Sequence, residues 1–327
     1  MAQHPENKQR LEAIMTYLQD TGLLTRMQRL EARDASPDEI AAVHCPDYIA
    51  ELRGLAAHGG GWPDSDTYVT PLSYAVALRA AGGLLQAVDA VLAGQAENAF
   101  ALVRPPGHHA TPDRAMGFCL FNNIAIAARY ALQKHGLARV LIVDWDLHHG
   151  NGTQEAFYEN PHVLYFSMHQ YPYYPGTGHW QETGRGAGQG YTVNVPLPAG
   201  TGDVGFQRVF DEILVPVARR FRPQLILVSA GYDAHWMDPI GMLQASVSGF
   251  VRMTRALVVL ADELCNRRLV LTLEGGYNLQ ALAASVAATC AALMGDPEIK
   301  DPLGPARQAE ASVDSVINSV KRAHGLS

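Results

Sequence analysis

Asp144, Asp146 and His148 stand at alternate positions directly after an apolar run at residues 140–143. The run has the composition of a buried strand, and side chains two apart on a strand share a face. Two carboxylates and an imidazole therefore converge at a strand end, where open α/β sheets keep their sites. An Asp/His pair supplies half of a zinc site; a catalytic zinc needs a third ligand and an open position. Trp145 and Leu147 point the opposite way, toward covering helices, and Gly150 and Gly152 let the chain turn. The competing reading is a strand end whose acids are only solvated.

Three further strand ends carry polar clusters. After a short apolar run at 100–103 come Arg104-Pro105-Pro106-Gly107-His108-His109-Ala110, adjacent histidines on a stiff loop that can supply a base and an electrostatic partner. After 225–228 come Ser229-Ala230-Gly231-Tyr232-Asp233, and Asp233 can be the third metal ligand. After 269–273 come Glu274-Gly275-Gly276-Tyr277-Asn278, where an inward phenol can donate to a developing oxyanion. A surface histidine pair and a core tyrosine are the plainer readings of the first and last taken alone. The agreement of all the strand ends argues for a site.

The elements that must position these groups follow from periodicity. Residues 4–58 read as helical, with Leu11, Ile14, Met15 and Leu18 at helical spacing and a helix start at Ser36-Pro37-Asp38-Glu39. A Gly/Asp loop at 59–66 precedes a long Ala-rich helix at 72–92, in which Gly82-Gly83 invite close packing. From residue 100 onward strands at 100–103, 140–143, 163–167, 193–195, 225–228 and 269–273 alternate with helices at 122–133, 204–221, 247–264 and 279–293. That alternation predicts a mainly parallel α/β sheet covered on both faces. Residues 1–296 read as one catalytic domain and 297–327 as a helical tail carrying Val313, Val316, Ile317 and Val320. The tail is expected to dock on the domain, with self-association into a homo-oligomer as the alternative.

Composition narrows the function classes. The 327 residues are 48% hydrophobic and 17% charged, an ordinary globular balance with room for a sizeable core. A net charge of −7 without basic clusters argues against nucleic acid, whose phosphates demand positive charge. No apolar run approaching 18 residues stands out, so no membrane span is expected. The widely spaced Cys45, Cys119, Cys265 and Cys290 read as reduced thiols, mostly buried, of a cytoplasmic protein.

Residues 104–110, 117–123, 143–154, 228–233 with Asp238-Pro239, and 274–279 together resemble the histone deacetylase superfamily, class II type, with its bacterial amidohydrolase and acetylpolyamine amidohydrolase relatives. The resemblance runs from about residue 4 to about 294. It implies an arginase-like three-layer α/β/α fold with an eight-stranded, mainly parallel sheet. It also implies zinc (Zn2+) on Asp146, His148 and Asp233, polarising an amide carbonyl and lowering the pKa of water. His109 would be the general base and then the acid, oriented by Asn151. A neutral amide at that position, where class I members carry an aspartate, leaves the imidazole less basic. His108 would assist electrostatically, oriented by Asp144, and Tyr277 would hold the oxyanion. A structural potassium (K+) would involve Asp144, Asp146, His148 and Ser167, the last adjoining Met168, with a second one around Phe157.

The same resemblance implies a substrate channel. Phe118, beside the small Gly117, and Tyr174 would form its aromatic walls, suited to a methylene chain. Ile240 matches the gatekeeper at its mouth, where the polyamine-specific relative carries a glutamate. An apolar residue there favours an acetyl-lysine (or other short acyl-lysine) peptide or protein over acetylpolyamine as substrate. Asp64 and Asp66 sit on the loop where family members grip the substrate backbone. His162, His169, His179 and His235 read as structural or surface groups. An acyl-lysine-binding module without catalysis and a two-manganese ureohydrolase are the remaining readings, and the intact Tyr277 with His108-His109 weighs against both.

Overall fold

The computed structural model describes residues 4–327. Its strands are β1 (Asn98–Ala101), β2 (Val140–Asp144), β3 (Val163–Gln170), β4 (Thr192–Leu197), β5 (Leu225–Ala230) and β6 (Leu269–Leu273). Its helices are α1 (Gln9–Asp20), α2 (Pro37–Ala41), α3 (Pro46–Ala57), α4 (Ser73–Leu92), α5 (Asn123–Gln133), α6 (Asn151–Phe157), α7 (Asp203–Val209), α8 (Val215–Phe221), α9 (Val247–Cys265), α10 (Leu279–Leu293) and α11 (Asp314–His324). The strands form one parallel sheet in the order β1-β6-β5-β2-β3-β4.

Period-two alternation along β2 and the residues just after it divides the core into layers. Leu141, Val143, Trp145 and Leu147 join one cluster with α1 and the helices from α7 to α11, except that part of the α9–α10 contact forms its own small cluster. Val140 and Ile142 face a second cluster built with α2 through α6. The helix start at Ser36 is a capping box, its hydroxyl accepting from Glu39 N–H while the Glu39 carboxylate accepts from Ser36 N–H. Close packing at Gly82 is also observed: a Cβ there would stand 2.1 Å from the Arg33 carbonyl oxygen. In the tail, Val313, Ile317 and Val320 enter the main core.

Three expectations need correction. The sheet of the described residues has six strands rather than eight. Residues 28–36, which approach the outer edge of β1, form no ladder; a cleft of about 810 Å³ lies there, lined by Gln28 and Leu30 on one side and Asn98 and Phe100 on the other. The 204–221 helix is interrupted by a π segment, Phe210–Leu214. Finally, α4 is long and apolar enough to cross a membrane by length and composition. Its Ala77, Ala81, Leu84, Leu85 and Val88 are buried in the second core cluster, which accounts for the apolar sequence without a bilayer.

Candidate active site

The strand ends deliver their polar groups to one place, but not by the pleat alone. β2 stops at Asp144, so Asp146 and His148 lie on the loop beyond it. Two tight turns bring them back: Asp146 N–H donates to Asp144 Oδ1 at 3.1 Å, and His148 N–H donates to Asp146 Oδ1 at 2.9 Å. Asp233 arrives from the loop after β5 and accepts from Leu147 N–H at 2.9 Å. Ligand atoms of Asp146, His148 and Asp233 all lie within 4.8 Å of one another, and the three residues are buried.

This donor set fits zinc. His148 Nδ1 is 3.2 Å from both Asp146 Oδ1 and Asp233 Oδ2. Ligands sharing a tetrahedral zinc at about 2.1 Å stand about 3.4 Å apart. Burial works against charge on His148, yet the two carboxylates lift its pKa to about 9. The pocket thus selects a cation, and a metal would replace that proton. The approach is open only because residue 275 is glycine: a Cβ there would stand 2.2 Å from Asp233 Oδ2 and 2.6 Å from Asp146 Oδ2. The Gly275 N–H instead donates to Asp146 Oδ2 at 2.8 Å.

His108 and His109 are adjacent but occupy opposite electrostatic environments. His108 Nδ1 is 3.0 Å from Asp144 Oδ2. Burial disfavours its charge, but Asp144 and then Asp146 outweigh that and push its pKa up to about 10. His109 Nδ1 instead faces Asn151 Oδ1 at 2.8 Å, while Asn151 Nδ2 donates back to the His109 carbonyl at 3.3 Å. The amide oxygen accepts, so Nδ1 carries the proton and Nε2 is left with its lone pair. Burial, with the positive charges of His108 and His148, holds the His109 pKa well below the ordinary range. The carboxylate beside His108 favours its charged form, whereas burial and the neighbouring positive charges favour the neutral form of His109.

Tyr277 follows β6 on a loop pinned by Asp238, whose Oδ2 accepts from Tyr277 N–H at 2.6 Å and Asn278 N–H at 3.0 Å. The phenol borders the same cavity as His109 and His148, and burial keeps it protonated by pushing its pKa well up. A neutral phenol in a dry pocket is a hydrogen-bond donor for an oxyanion.

The cavity, about 110 Å³, is lined by Gly117, Phe118, Tyr174 and Ile240 together with His108, His109, Asp146, His148 and Tyr277. At Gly117 φ is +56° and a Cβ would stand 2.3 Å from the His109 ring, so only glycine fits. Phe118 follows at φ +67°, a conformation that costs a bulky residue on the order of 1–3 kcal/mol. Its N–H is held by Thr67 Oγ1 at 3.0 Å. The Tyr174 ring meets the edge of His109 at 5.2 Å between centroids.

The other residues singled out in the sequence lie in and around this cavity. Ser167, expected beside Asp144, is its cross-strand neighbour, and both Ser167 and Met168 are fully buried. Asp66 lines the cavity, whereas Asp64, His179 and His235 do not. His169 is buried beside Ser167, its Nδ1 2.9 Å from the Ser167 hydroxyl. Of the cysteines, Cys45 is exposed and the other three are buried.

Two supporting residues escaped the sequence reading. Arg10 is fully buried, its guanidinium 5.0 Å from the Tyr277 ring centroid and bonded to the Gly276 carbonyl at 2.8 Å. The signal was present: Arg10 is in register with Ile14 and Leu18 on the buried face of α1. Glu274, which opens the Gly275-Gly276-Tyr277 loop, is the second. Its Oε2 accepts from Gly107 N–H at 2.7 Å and His108 N–H at 3.2 Å, holding the histidine loop from behind.

The histone deacetylase domain family matches residues 4–293. A probable deacetylase of Archaeoglobus fulgidus is 47% identical over 85% of this chain and 77% of its own length. Rice "Histone deacetylase 10, chloroplastic" is 43% identical over 99% of this chain and 78% of its own. The human "Polyamine deacetylase HDAC10" is also 43% identical, over 95% of this chain but 48% of its own length. Among solved structures, the crystallised HDA15 HD domain superposes with a TM-score of 0.89 at 37% identity, covering 98% of this chain and 90% of that one.

Proposed function

The chain belongs to the histone deacetylase family, and from that premise we propose that it is a zinc-dependent hydrolase removing acetyl or other short acyl groups from lysine side chains of peptides or proteins. The single observation that carries the reading is the convergence on one cavity of the Asp146/His148/Asp233 donor set, the neutral His109 and Tyr277.

Each residue has a role that its surroundings support. Asp146, His148 and Asp233 would hold zinc, which supplies Lewis-acid polarisation of the amide carbonyl and acidifies water. His109, neutral and with Nε2 free, takes the proton of the attacking water and returns it to the leaving amine. Asn151 fixes the tautomer. His108, a cation held by Asp144, stabilises negative charge on the reacting centre, and Tyr277 donates to the oxyanion. Phe118 and Tyr174 exclude water from the methylene chain. A structural potassium is a companion part of this proposal, with oxygen donors on Asp144, Asp146 and His148 meeting Ser167 beside Met168.

The choice of lysine over polyamine rests on Ile240. It lines the cavity, its carbonyl accepts from Tyr173 Oη at 2.8 Å, and its apolar side chain offers no partner to a distant ammonium. The second reading, an acetylpolyamine amidohydrolase, is favoured by Asp66, a carboxylate lining the same cavity. Turnover of an acetyl-lysine peptide and of acetylspermidine, each with wild type and Ile240→Glu, tests the choice. The expected result is faster peptide turnover in the wild type and a shift toward acetylspermidine in Ile240→Glu; faster acetylspermidine turnover by the wild type contradicts it.

A further inference from the structure

Beyond the channel wall lies a second depression, of about 420 Å³, and Phe118 borders both. Its outer side is formed by Leu72 and Val76 at the start of α4, with Tyr68 and Leu120. Leu72 is 71% exposed and Val76 38%, both among the few large apolar side chains left open to solvent. An apolar depression adjoining an active site is more informative than a scattered exposed leucine.

Of the charged groups around it, Glu6 and Arg104 are held to each other, Arg104 donating to both Glu6 carboxylate oxygens at 2.8 Å, and Lys8 reaches out to an exposed Glu12 at 2.8 Å. Thr70 and Ser73 share a hydrogen bond at 3.0 Å. Asn7 and Gln9 also border the depression, and Tyr68, Leu72, Val76, Phe118 and Leu120 give it a continuous apolar side. Phe118 is shared by the channel and the depression, so a peptide whose acyl-lysine fills the channel can reach the depression with a side chain next to that lysine.

We propose that the depression between α4 and Phe118 is a substrate subsite that receives a large apolar side chain flanking the acyl-lysine. The proposal rests on the lysine-deacylase reading and deepens it. Partial burial of one leucine or phenylalanine side chain corresponds to about a tenfold preference.

The test is a set of acetyl-lysine peptides differing only in the residues immediately before and after the lysine, each position taken in turn as Leu, Phe, Gly and Asp. Acetate release gives kcat/KM for the zinc-loaded wild type and for Leu72→Asp. At one of the two positions, Leu or Phe is expected to exceed Gly by about tenfold, and in Leu72→Asp the ratio falls to about one. A wild-type ratio near one at both positions, a preference for Asp, or an unchanged ratio in Leu72→Asp overturns the subsite while leaving deacylation standing. Absence of acetate release from every peptide, or faster turnover of acetylspermidine than of any peptide, overturns the lysine-deacylase reading itself and the subsite with it.

Discussion

His109 Nδ1 lies 2.8 Å from Asn151 Oδ1, whereas the neighbouring His108 Nδ1 lies 3.0 Å from the Asp144 carboxylate. Two adjacent imidazoles are thereby set to different protonation states, since a carboxylate stabilises imidazolium and an amide does not. Such splitting of paired titratable groups is how a site assigns acid and base roles.

Replacing that amide by a carboxylate makes the difference measurable. In the native protein, burial and the charges of His108 and His148 depress the His109 pKa, so the ring stays neutral and competent as a base to low pH. Asn151→Asp adds a negative charge beside Nδ1, which favours imidazolium and raises that pKa. The base is then lost at higher pH. The acidic limb of the kcat/KM profile is expected to move upward by about one to three units; an unmoved limb would show that His109 is not the base.

Tyr277 is expected to act only in the transition state. Tyr277→Phe removes the donor to the oxyanion while keeping the ring beside Arg10 and Phe118. A loss of about 10²- to 10³-fold in kcat with KM and melting temperature little changed is the expected outcome. A loss confined to KM would instead assign the hydroxyl to ground-state binding.

Glu274 separates support from chemistry. Its carboxylate accepts from Gly107 and His108 N–H and from Ser229 Oγ at 3.0 Å, and burial lifts its pKa to about 7. Glu274→Ala leaves buried donors unpaired and is expected to cost about 2–5 kcal/mol in urea unfolding, with a matching loss of activity. Glu274→Gln can still accept from both backbone groups and let Ser229 Oγ accept from its amide, so it should lose far less. Equal losses in the two variants would mean that charge, not pairing, is what the site requires.

Much of this arrangement was legible in the sequence because chemistry and periodicity coincide there. The residues 140–143 have to be a buried strand, and the acids that follow it have to be either solvated or used. The glycines at 231 and 275 leave room for Asp146 and Asp233. Less legible was how Asp146 and His148 are aimed, since the strand ends before them and backbone donors to Asp144 and Asp146 complete the work. Arg10 was hidden because a charged residue in an apolar stripe reads as an interruption until its buried partner carbonyls are seen. The six strands read from periodicity are the six observed, and the count of eight was implied only by the family resemblance.

The central claim is that one metal on Asp146, His148 and Asp233 enables acyl-lysine hydrolysis. Zinc titrated into chelator-stripped protein, with acetate release from an acetyl-lysine peptide followed at each step, tests it most directly. Activity is predicted to rise linearly and level off at about one equivalent, with the melting temperature rising alongside, and Asp233→Asn should show neither change at that ratio. Full turnover in the stripped protein, or a plateau at two equivalents, would contradict the account.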